Sequence, residues 1–326
     1  TPDGLRDFQD FMQAISAWAQ TFRTSTAQRI ALYCEDSFEF ASALFAAWHS
    51  GKCVFLPGDA LPGTLAVLAT QVDAFAGDLP DALQAASATA SPNAALTWQA
   101  LHADADQLVI FTSGSTGKPE AIPKRLGQLF READNLAQCF ASALPASAIV
   151  QATVSHQHIY GLLFRILWPL AGGHVFASTR LVYPEDMLAA MRSSPTVLVA
   201  SPAHLKRLPA HLPWSEVRPL MMFSSGGPLS VEALHACRNL LGQVPREIFG
   251  SSETGGIAWR QRHSDDNATW QPLPGVALEI RNGLLHVSSE HAPGSDWLDA
   301  RTRARHTPAG IVLEGRTDQI VKIEEK

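Results

Sequence analysis

The residues with the clearest chemical potential form one short loop, Thr112-Ser113-Gly114-Ser115-Thr116-Gly117-Lys118-Pro119. Its glycines allow a tight backbone whose successive N–H groups turn inward and form a nest for an anion. Hydroxyl groups and one ammonium group add donors for phosphate oxygens. The loop follows an apolar run at 107–111 that predicts a buried strand, and open α/β sheets bind ligands at the carboxyl ends of such strands. The pattern therefore predicts a phosphate-binding loop.

Two common glycine-rich motifs and a flexible linker fit this loop less well. The P-loop of nucleoside triphosphatases has a glycine five residues before the Gly-Lys pair and Ser or Thr after the lysine, where this chain has Thr112 and Pro119. A G-x-G-x-x-G dinucleotide fingerprint is also absent. A flexible Gly/Ser linker is disfavoured because apolar segments flank the loop on both sides.

Further along the chain, three segments carry candidate site residues. The small residues of Ser225-Gly226-Gly227-Pro228-Leu229 allow a ligand to approach the backbone, although alone they also suit an ordinary strand-to-helix turn. Phe249-Gly250-Ser251-Ser252-Glu253-Thr254 combines an aromatic face, hydroxyls and a carboxylate of the kind that Mg²⁺ prefers. Val154–Gly161 contains His156 and His158, which would share a face on a strand and could bind a metal, but no third ligand is evident nearby.

In this order the segments resemble those of the adenylate-forming superfamily, which includes acyl- and aryl-CoA synthetases, peptide-synthetase adenylation domains and luciferases. The loop is similar to the family's pyrophosphate-gripping loop, except that Glu120-Ala121 replaces the usual Lys-Gly, and Lys124 is a candidate substitute for the lost charge. The run Leu313–Lys322 resembles the family's Gly-Arg-x-Asp hinge. The family's Thr-Gly-Asp, whose aspartate holds the ribose, is missing: Thr302 stands near that place and Asp299 is the nearest carboxylate.

The resemblance implies ATP-dependent activation of a carboxylic acid to an acyl-adenylate, followed by transfer to the thiol of CoA or of an acyl carrier protein. ATP/AMP and Mg²⁺ are the implied cofactors. His156 would gate the acid's tunnel, Phe249 would stack on adenine and Asp318 would be the pivot of the hinge. The remaining implied roles are phosphate contact and catalysis for Thr112, Ser113, Gly114, Ser115, Thr116, Gly117, Lys118 and Ser252; nucleotide binding for Ser225, Gly226, Gly227, Pro228, Gly250, Ser251, Asp299 and Arg316; acid binding for Tyr160, Gly161 and Ser224; and Mg²⁺ binding for Glu253.

Three features differ from general acyl-CoA synthetases: a short N-terminal region, Lys-Arg-Leu-Gly-Gln-Leu at 124–129 after the loop, and Lys322-Ile323-Glu324-Glu325-Lys326 where Lys-x-x-Gly is commoner. In these features the chain resembles a compact subgroup from aryl-polyene and xanthomonadin-type pigment pathways, which activates hydroxybenzoates for a carrier protein. The implied substrate is an aryl acid such as 3- or 4-hydroxybenzoate. A fatty-acid or other acyl-CoA synthetase is the alternative, and an amino acid is disfavoured because 154–161 has no acidic residue. Two further classes stay open: a non-catalytic ligand-binding homologue, and a phosphotransferase that would release ADP instead of AMP.

Strand and helix patterns alternate through most of the chain and predict an α/β fold with two mostly parallel sheets. A helical apolar pattern from Leu5 to Phe22, with Asp3 as its cap, comes first. After about residue 270 the pattern predicts antiparallel ribbons, the first turning at Asn282-Gly283. The expected organisation is a large domain at 1–314, with α/β subdomains to about 270 and a small β subdomain at about 271–314, followed by the hinge at 315–326.

The composition excludes several classes of protein. A net charge of −6 argues against a nucleic-acid-binding surface, and Arg301, Arg303 and Arg305 alternate like a solvated strand face. Four scattered cysteines suit a reducing cytoplasm as small buried hydrophobes, and no apolar run is long enough for membrane insertion.

The chain starts at Thr1, as expected of an excised or processed segment. The resemblance further implies a lid domain of about a hundred residues after Asp318, so this fragment is expected to adenylate poorly.

Overall fold

The structure is a computed structural model that describes residues 4–86, 98, 100–113, 119–263, 269–292, 294 and 296–317. It confirms the predicted fold class, with two mostly parallel sheets flanked by helices and one antiparallel sheet. The chain forms two compact units: the first contains Thr1–Leu129, His156–Ile159 and Ala177–Arg180, and the second contains Phe130–Ser155, Tyr160–Phe176 and Leu181–Lys326.

The first unit is built on a five-stranded sheet in the order β3-β1-β2-β4-β5, in which only β5 runs antiparallel to its neighbour. Helix α1 is N-capped by Asp7, which forms a capping box with Asp10, so the Asp3 cap predicted from sequence is wrong. Helix α2 begins where Asp36 accepts hydrogen bonds from two backbone N–H groups. The elements are α1 Phe8–Thr24, β1 Arg29–Tyr33, α2 Ser37–His49, β2 Cys53–Leu56, α3 Pro62–Leu68, β3 Ala74–Gly77, β4 Asp106–Ser113 and β5 Pro119–Arg125.

The second unit contains a seven-stranded sheet in the order β12-β11-β10-β9-β8-β6-β7, parallel from β7 to β10 and antiparallel from β10 to β12. A π-helical stretch, Leu162–Leu167, joins α5 to α6. The elements are α4 Leu126–Phe140, which starts at the end of the first unit, β6 Ile149–Ala152, α5 Ile159–Gly161, α6 Trp168–Ala171, β7 Val175–Phe176, α7 Pro184–Ser193, β8 Thr196–Ala200, α8 Pro202–Lys206, β9 Met221–Ser224, α9 Val231–Leu241, β10 Arg246–Ser251, β11 Gly255–Gln261 and β12 Gln271–Pro272. Short 3₁₀ turns lie at Ala141–Ala143 and Trp214–Glu216.

A four-stranded antiparallel sheet completes the second unit. Asn282 and Gly283 have φ angles of +52° and +76°, which confirms the tight turn predicted from the Asn-Gly pair. On the third strand Thr302 and Ala304 are buried between the exposed Arg301, Arg303 and Arg305, as predicted for a solvated sheet face. The strands are β13 Val276–Arg281, β14 Leu284–Ser289, β15 Leu298–Thr307 and β16 Gly310–Arg316.

Membrane-spanning potential and the state of the cysteines can also be read from the structure. Among the residues that it describes, no helix combines the length and the apolar character needed to cross a bilayer. All four cysteines are free thiols, with Cys34 and Cys237 buried and the other two half-buried. Burial raises the pKa of the Cys237 thiol to about 12, as expected for a cysteine that packs as a hydrophobe.

Asp73, between α3 and β3, holds the start of β3 to the start of the neighbouring strand β1. Its carboxylate accepts hydrogen bonds from the backbone N–H groups of Gln28 and Arg29 and from the Arg29 guanidinium, at 3.0, 2.9 and 2.7 Å. The bond from the guanidinium and those from the backbone hold the pKa of this carboxyl well below its usual value of 3.8. Because the folded-state pKa is depressed, this stabilisation is complete above the unfolded-state pKa and is lost as the pH falls through the folded-state pKa.

An Asp73→Asn substitution is therefore expected to destabilise the protein at pH 7 and to have a smaller effect as the pH falls below 3.8. Urea unfolding of both proteins across this pH range measures the difference. The exposed carboxylate of Asp134, replaced by Asn, is the control for removing one charge. A destabilisation by Asp73→Asn that does not change with pH would contradict the assignment.

Candidate functional site

The strands that flank the predicted phosphate loop form an antiparallel pair. In β4 and β5 Thr112 faces Glu120 and Ser113 faces Pro119, so the chain reverses between them. Gly114, Ser115, Thr116, Gly117 and Lys118 lie outside the described residues, as does the side chain of Ser113. The carboxyl end of β4, which runs parallel to β2, thus leads into the loop as the sequence predicted.

The lysine considered as a substitute for the lost basic residue is not near the loop. Lys124 is 2% exposed and faces Leu108 on β4. It lies four residues along β5 from Glu120, about 13 Å at the usual rise of a strand. Glu120, in contrast, is exposed. The substitution of Lys124 for the family's loop-proximal lysine is therefore not supported.

The Gly-Gly segment forms an ordered turn at the carboxyl end of β9. The Ser225 hydroxyl donates a hydrogen bond to the carbonyl oxygen of Ile248 at 2.9 Å. Gly226 has a φ of +87°, which favours glycine, and a Cβ atom there would meet nothing within 4 Å. Ser230 then caps α9 by accepting from the Ala233 N–H. Glycine thus sets the backbone shape of the turn and leaves its surface open to a ligand.

The next candidate segment is a hairpin with a three-residue tip. Strand β10 ends at Ser251, Ser252-Glu253-Thr254 form the tip and β11 begins at Gly255. The hydroxyls of Ser251 and Thr254 lie 3.1 Å apart, and each accepts a bond from the other residue's backbone N–H. The Glu253 side chain is exposed, whereas that of Thr254 is buried. The tip therefore presents one carboxylate on a locally fixed backbone.

Phe249 occupies the position predicted to stack on adenine. Its half-buried ring packs against Trp270 with 5.6 Å between centroids, and Arg260 lies 4.4 Å from the centre of that indole ring. At the next residue the register of β10 and β11 shifts, and a Cβ atom on Gly250 would lie 2.1 Å from the Gly255 carbonyl oxygen. Glycine is thus required at 250 for the close approach of the two strands.

The structure places His156 in the interior of the first unit, where it is 2% exposed. Its Nδ1 lies 3.1 Å from the Ser37 hydroxyl, its Nε2 donates to the Cys34 carbonyl oxygen at 2.8 Å, and its ring stacks on Phe40. The predicted role as a substrate gate stays a prediction, and these contacts favour a structural role.

The alternative of a metal held by His156 and His158 finds no support. The two histidines lie in a turn after β6, so the strand geometry that would put them on one face is absent. A Cβ atom on Gly58 would lie 3.1 Å from the His158 ring, which places that histidine close to the backbone. Within the described ranges no group of three His, Cys, Asp or Glu residues suits a metal ion.

Two residues predicted to bind the acid, Tyr160 and Ser224, are both adjacent to Ala200 at the carboxyl edge of the second unit's parallel sheet. The Tyr160 hydroxyl donates to the Ala200 carbonyl oxygen at 3.2 Å, and burial raises the pKa of this phenol well above its usual value. Ala200 on β8 faces Ser224 on β9. The Ser224 hydroxyl is buried and has no hydrogen-bond partner among the described residues, and Gly161 is buried next to Tyr160.

The candidate ribose residues lie on the antiparallel sheet. Asp299 on β15 is exposed and accepts a hydrogen bond from the Arg301 N–H at 2.7 Å. Thr302 is 2% exposed, and its hydroxyl donates to the Ala300 carbonyl oxygen, which removes it as a ribose ligand. Arg316 is exposed at the end of β16, and Asp318 lies outside the described residues.

Comparison with known proteins identifies the family of the chain. A family model described as "AMP-binding enzyme" matches residues 57–298. The chain belongs to the AMP-binding enzyme family.

Named relatives of this AMP-binding enzyme chain include a 4-coumarate–CoA ligase of Rhodobacter capsulatus, 31% identical over 69% of this chain and 55% of the relative. Another, from Cereibacter sphaeroides, is 30% identical over 65% of this chain and 49% of the relative. The chain thus spans about half the length of these curated relatives.

Solved structures show the same fold at lower sequence identity. ATP-bound MatB from Rhodopseudomonas palustris superposes with a TM-score of 0.79 at 18% identity, covering 96% of this chain and 74% of that one. A benzoate CoA ligase from Burkholderia xenovorans LB400 gives 0.76 at 15% identity, with 98% and 77% covered.

The donor set at the hairpin tip fits the Mg²⁺ implied by the family resemblance. Mg²⁺ usually takes one or two protein carboxylates and completes its octahedron with nucleotide phosphates and water. Glu253 supplies one exposed carboxylate, and the hydroxyls of Ser251 and Thr254 fix the backbone beside it. The chain can therefore offer the ligand that an ATP-bound Mg²⁺ needs.

Sequence reasoning missed the residues that support the two candidate nucleotide segments. Glu132 on α4 contacts the base of the hairpin at Gly256. Glu247 on β10 binds both Arg260 and Arg262, and Arg262 also donates to the carbonyl oxygen of Leu229. The only signal for Glu132 was a carboxylate among the apolar positions of an amphipathic helix, and that signal alone is ambiguous.

Proposed function

We propose that this protein uses ATP to activate an aryl carboxylic acid, such as 3- or 4-hydroxybenzoate, as its acyl-adenylate and passes the acyl group to a thiol. The observation that carries the proposal is that the open Ser225–Pro228 turn follows β9 and the Ser252–Glu253 tip follows the neighbouring strand β10, in a chain of the AMP-binding enzyme family. The phosphate-loop sequence before β5 supports it.

The reaction joins a carboxylate oxygen to the α-phosphorus of ATP while the bond from that phosphorus to the pyrophosphate oxygen breaks. Catalysis of such a transfer consists mainly of positioning and of stabilising charge. In the proposal the loop 112–118 holds the departing phosphates, and Ser252 bonds the α-phosphate. Phe249 and the turn at 225–228 hold the nucleobase, and Asp299 and Arg316 contact the ribose. Bound Mg²⁺, with Glu253 as its protein ligand, would offset charge on the phosphates.

The second half-reaction transfers the acyl group from AMP to a sulfur atom, forming a thioester and releasing AMP. The names of the relatives, 4-coumarate–CoA ligases, favour CoA as the acceptor. A carrier protein is the alternative implied by the resemblance to the pigment-pathway subgroup. Asp318 is proposed as the pivot between the two half-reactions.

An aryl substrate is proposed from the polar groups at the edge of the parallel sheet. Tyr160 supplies a flat ring, and Ser224 supplies a buried hydroxyl without a partner among the described residues. A hydroxyl on an aromatic acid would satisfy such a group, whereas the tail of a fatty acid would leave it unpaired at a cost. The segment 154–161 has no carboxylate to pair with the ammonium of an amino acid.

ATP–pyrophosphate exchange with a panel of acids tests the proposal on the protein that carries this sequence. The panel contains 3- and 4-hydroxybenzoate, benzoate, 4-coumarate, decanoate and an amino acid, and nucleotide products are separated to distinguish AMP from ADP. We expect AMP and the fastest exchange with a hydroxylated aryl acid. Preference for decanoate would overturn the substrate class, ADP would indicate a phosphotransferase, and no exchange with any acid would favour the non-catalytic homologue.

A further inference from the structure

We propose that Glu132 is a positioning residue that holds the Ser252–Glu253 tip in the geometry required to bind ATP. The inference rests on the proposed function in one respect, namely that this tip contacts the nucleotide. Glu132 itself is 2% exposed and contacts the base of the hairpin rather than its tip, so it acts through the backbone.

The fit between Glu132 and the hairpin is unusually close. Its Oε1 accepts a hydrogen bond from the Gly256 N–H at 2.6 Å. A Cβ atom on Gly255, whose φ is +70°, would lie 2.3 Å from Oε2 of the same carboxylate, and one on Gly256 would lie 3.2 Å from Oε1. Two consecutive glycines thus provide the space in which one carboxylate reaches the backbone.

The same peptide segment is held from a second side. The Nε2 atom of His291, which is 1% exposed, donates a hydrogen bond to the Gly256 carbonyl oxygen at 2.8 Å. Gly256 faces Gly250 where the register between β10 and β11 shifts. Both backbone polar groups of Gly256 are therefore bound by side chains at this bulge: its N–H by Glu132 of α4, and its carbonyl oxygen by His291, which follows β14.

This arrangement determines where the tip projects. Only Ser252, Glu253 and Thr254 separate β10 from β11, so the position of Gly255 and Gly256 sets the direction of the tip. In a buried environment an unmade hydrogen bond is costly, so the Gly256 N–H and the Glu132 oxygen stay bonded to each other. Glu132 is thus suited to hold the tip in place when the tip contacts a phosphate group and a metal ion.

The test compares Glu132→Ala and Glu132→Gln with the parent protein. Glutamine keeps the shape and one acceptor oxygen, whereas alanine leaves the Gly256 N–H without its acceptor. We expect Glu132→Ala to raise the KM for ATP and the calorimetric Kd for ATP by about 10–100-fold, as for other residues that support a ligand shell, and Glu132→Gln to recover most of this loss. The KM for the acid should change by less than about twofold in both variants, because the Glu132 carboxylate binds Gly256 of the hairpin, and the residues proposed to bind the acid belong to other segments.

Asp134→Ala, which removes an exposed carboxylate from the same helix, is the matched control and should leave both KM values unchanged. If Glu132→Ala does not fold, Glu132→Asp replaces it, since aspartate keeps the carboxyl group but withdraws its oxygen from Gly256. A purely structural role for Glu132 would raise both KM values equally or neither, and either result would overturn the inference.

Amide hydrogen exchange provides a readout that does not need catalysis. The amides of 252–256 should exchange faster in Glu132→Ala than in the parent, and added ATP should protect them less. If the parent protein activates no acid, the proposed function fails while this readout still tests the positioning role. Unchanged exchange at 252–256 in a folded Glu132→Ala variant would refute the role even if adenylation is observed.

Discussion

Glu247→Ala is expected to lower the free energy of unfolding by about 3–5 kcal/mol, the usual cost of removing one partner from a buried ion pair. Glu247 binds Arg260 at 2.9 Å and Arg262 at 2.6 Å, and the side chains of Glu247 and Arg262 are 5% and 4% exposed. The substitution would leave a buried guanidinium without its counter-charge. Chemical denaturation with urea measures the effect.

An exposed ion pair in the same unit provides the control. Arg192 on α7 pairs with Glu216, and both side chains are about half exposed. Glu216→Ala should cost no more than about 1 kcal/mol, because solvent screens such pairs. If both substitutions had the same small effect, the buried ion pairs of Glu247 with Arg260 and Arg262, here called the Glu247 cluster, would not contribute to stability in the way proposed.

The Glu247 cluster also connects the two candidate nucleotide segments. Arg262 donates to the carbonyl oxygen of Leu229, which ends the turn on β9. Arg260 lies over the ring of Trp270, and Trp270 packs against Phe249 on β10. One buried carboxylate thus supports both the turn and the aromatic ring that the proposal places against the base, so the loss of stability and the loss of ATP affinity should accompany each other.

Elements with uniform local signals were predictable from the sequence. The strand predicted at 107–111 lies within β4, Asp106–Ser113, because the apolar run there is nearly continuous. Strand β5 was missed because Pro119, Glu120 and Pro123 oppose strand formation, and its place at the edge of the sheet is where proline is tolerated. The sequence predicted Asp3 as the cap of α1, whereas the structure has Asp7, because either aspartate can precede the same apolar pattern.

Some residues of the candidate site could likewise be identified from the sequence, and others could not. The segments 225–229 and 249–254 could be identified because each is a short run whose residue types act together. Contacts between residues distant in sequence could not: Glu132 lies 124 residues from Gly256, and His156 lies 119 residues from Ser37. The neighbours of His156 in sequence suggested a role at the substrate, and only the fold shows that its ring stacks on Phe40 and that its Nε2 donates to the Cys34 carbonyl oxygen.

Glu253→Ala is expected to reduce acyl-adenylate formation by about 10²–10³-fold, the usual cost of losing one preorganised group that stabilises charge. The side chain is exposed at the hairpin tip, and the bonds between Ser251 and Thr254 that hold the tip are retained in the variant. The fold should therefore persist, and the loss should reflect the missing carboxylate. Pyrophosphate exchange with the best acid measures the rate.

Calorimetry separates a metal ligand from a general electrostatic effect. With Mg²⁺ present, Glu253→Ala should bind ATP more weakly than the parent; with a chelator in place of Mg²⁺, the two should bind alike, because the carboxylate then has no cation to hold. Glu279→Ala, which removes a half-exposed carboxylate paired with Arg281 on β13, should match the parent in both conditions. If Glu253→Ala bound ATP like the parent with Mg²⁺ present, Glu253 would not be the metal ligand. If it bound ATP more tightly than the parent only without Mg²⁺, the carboxylate would instead repel the phosphates, and the tip would select for metal-bound ATP by excluding the free nucleotide.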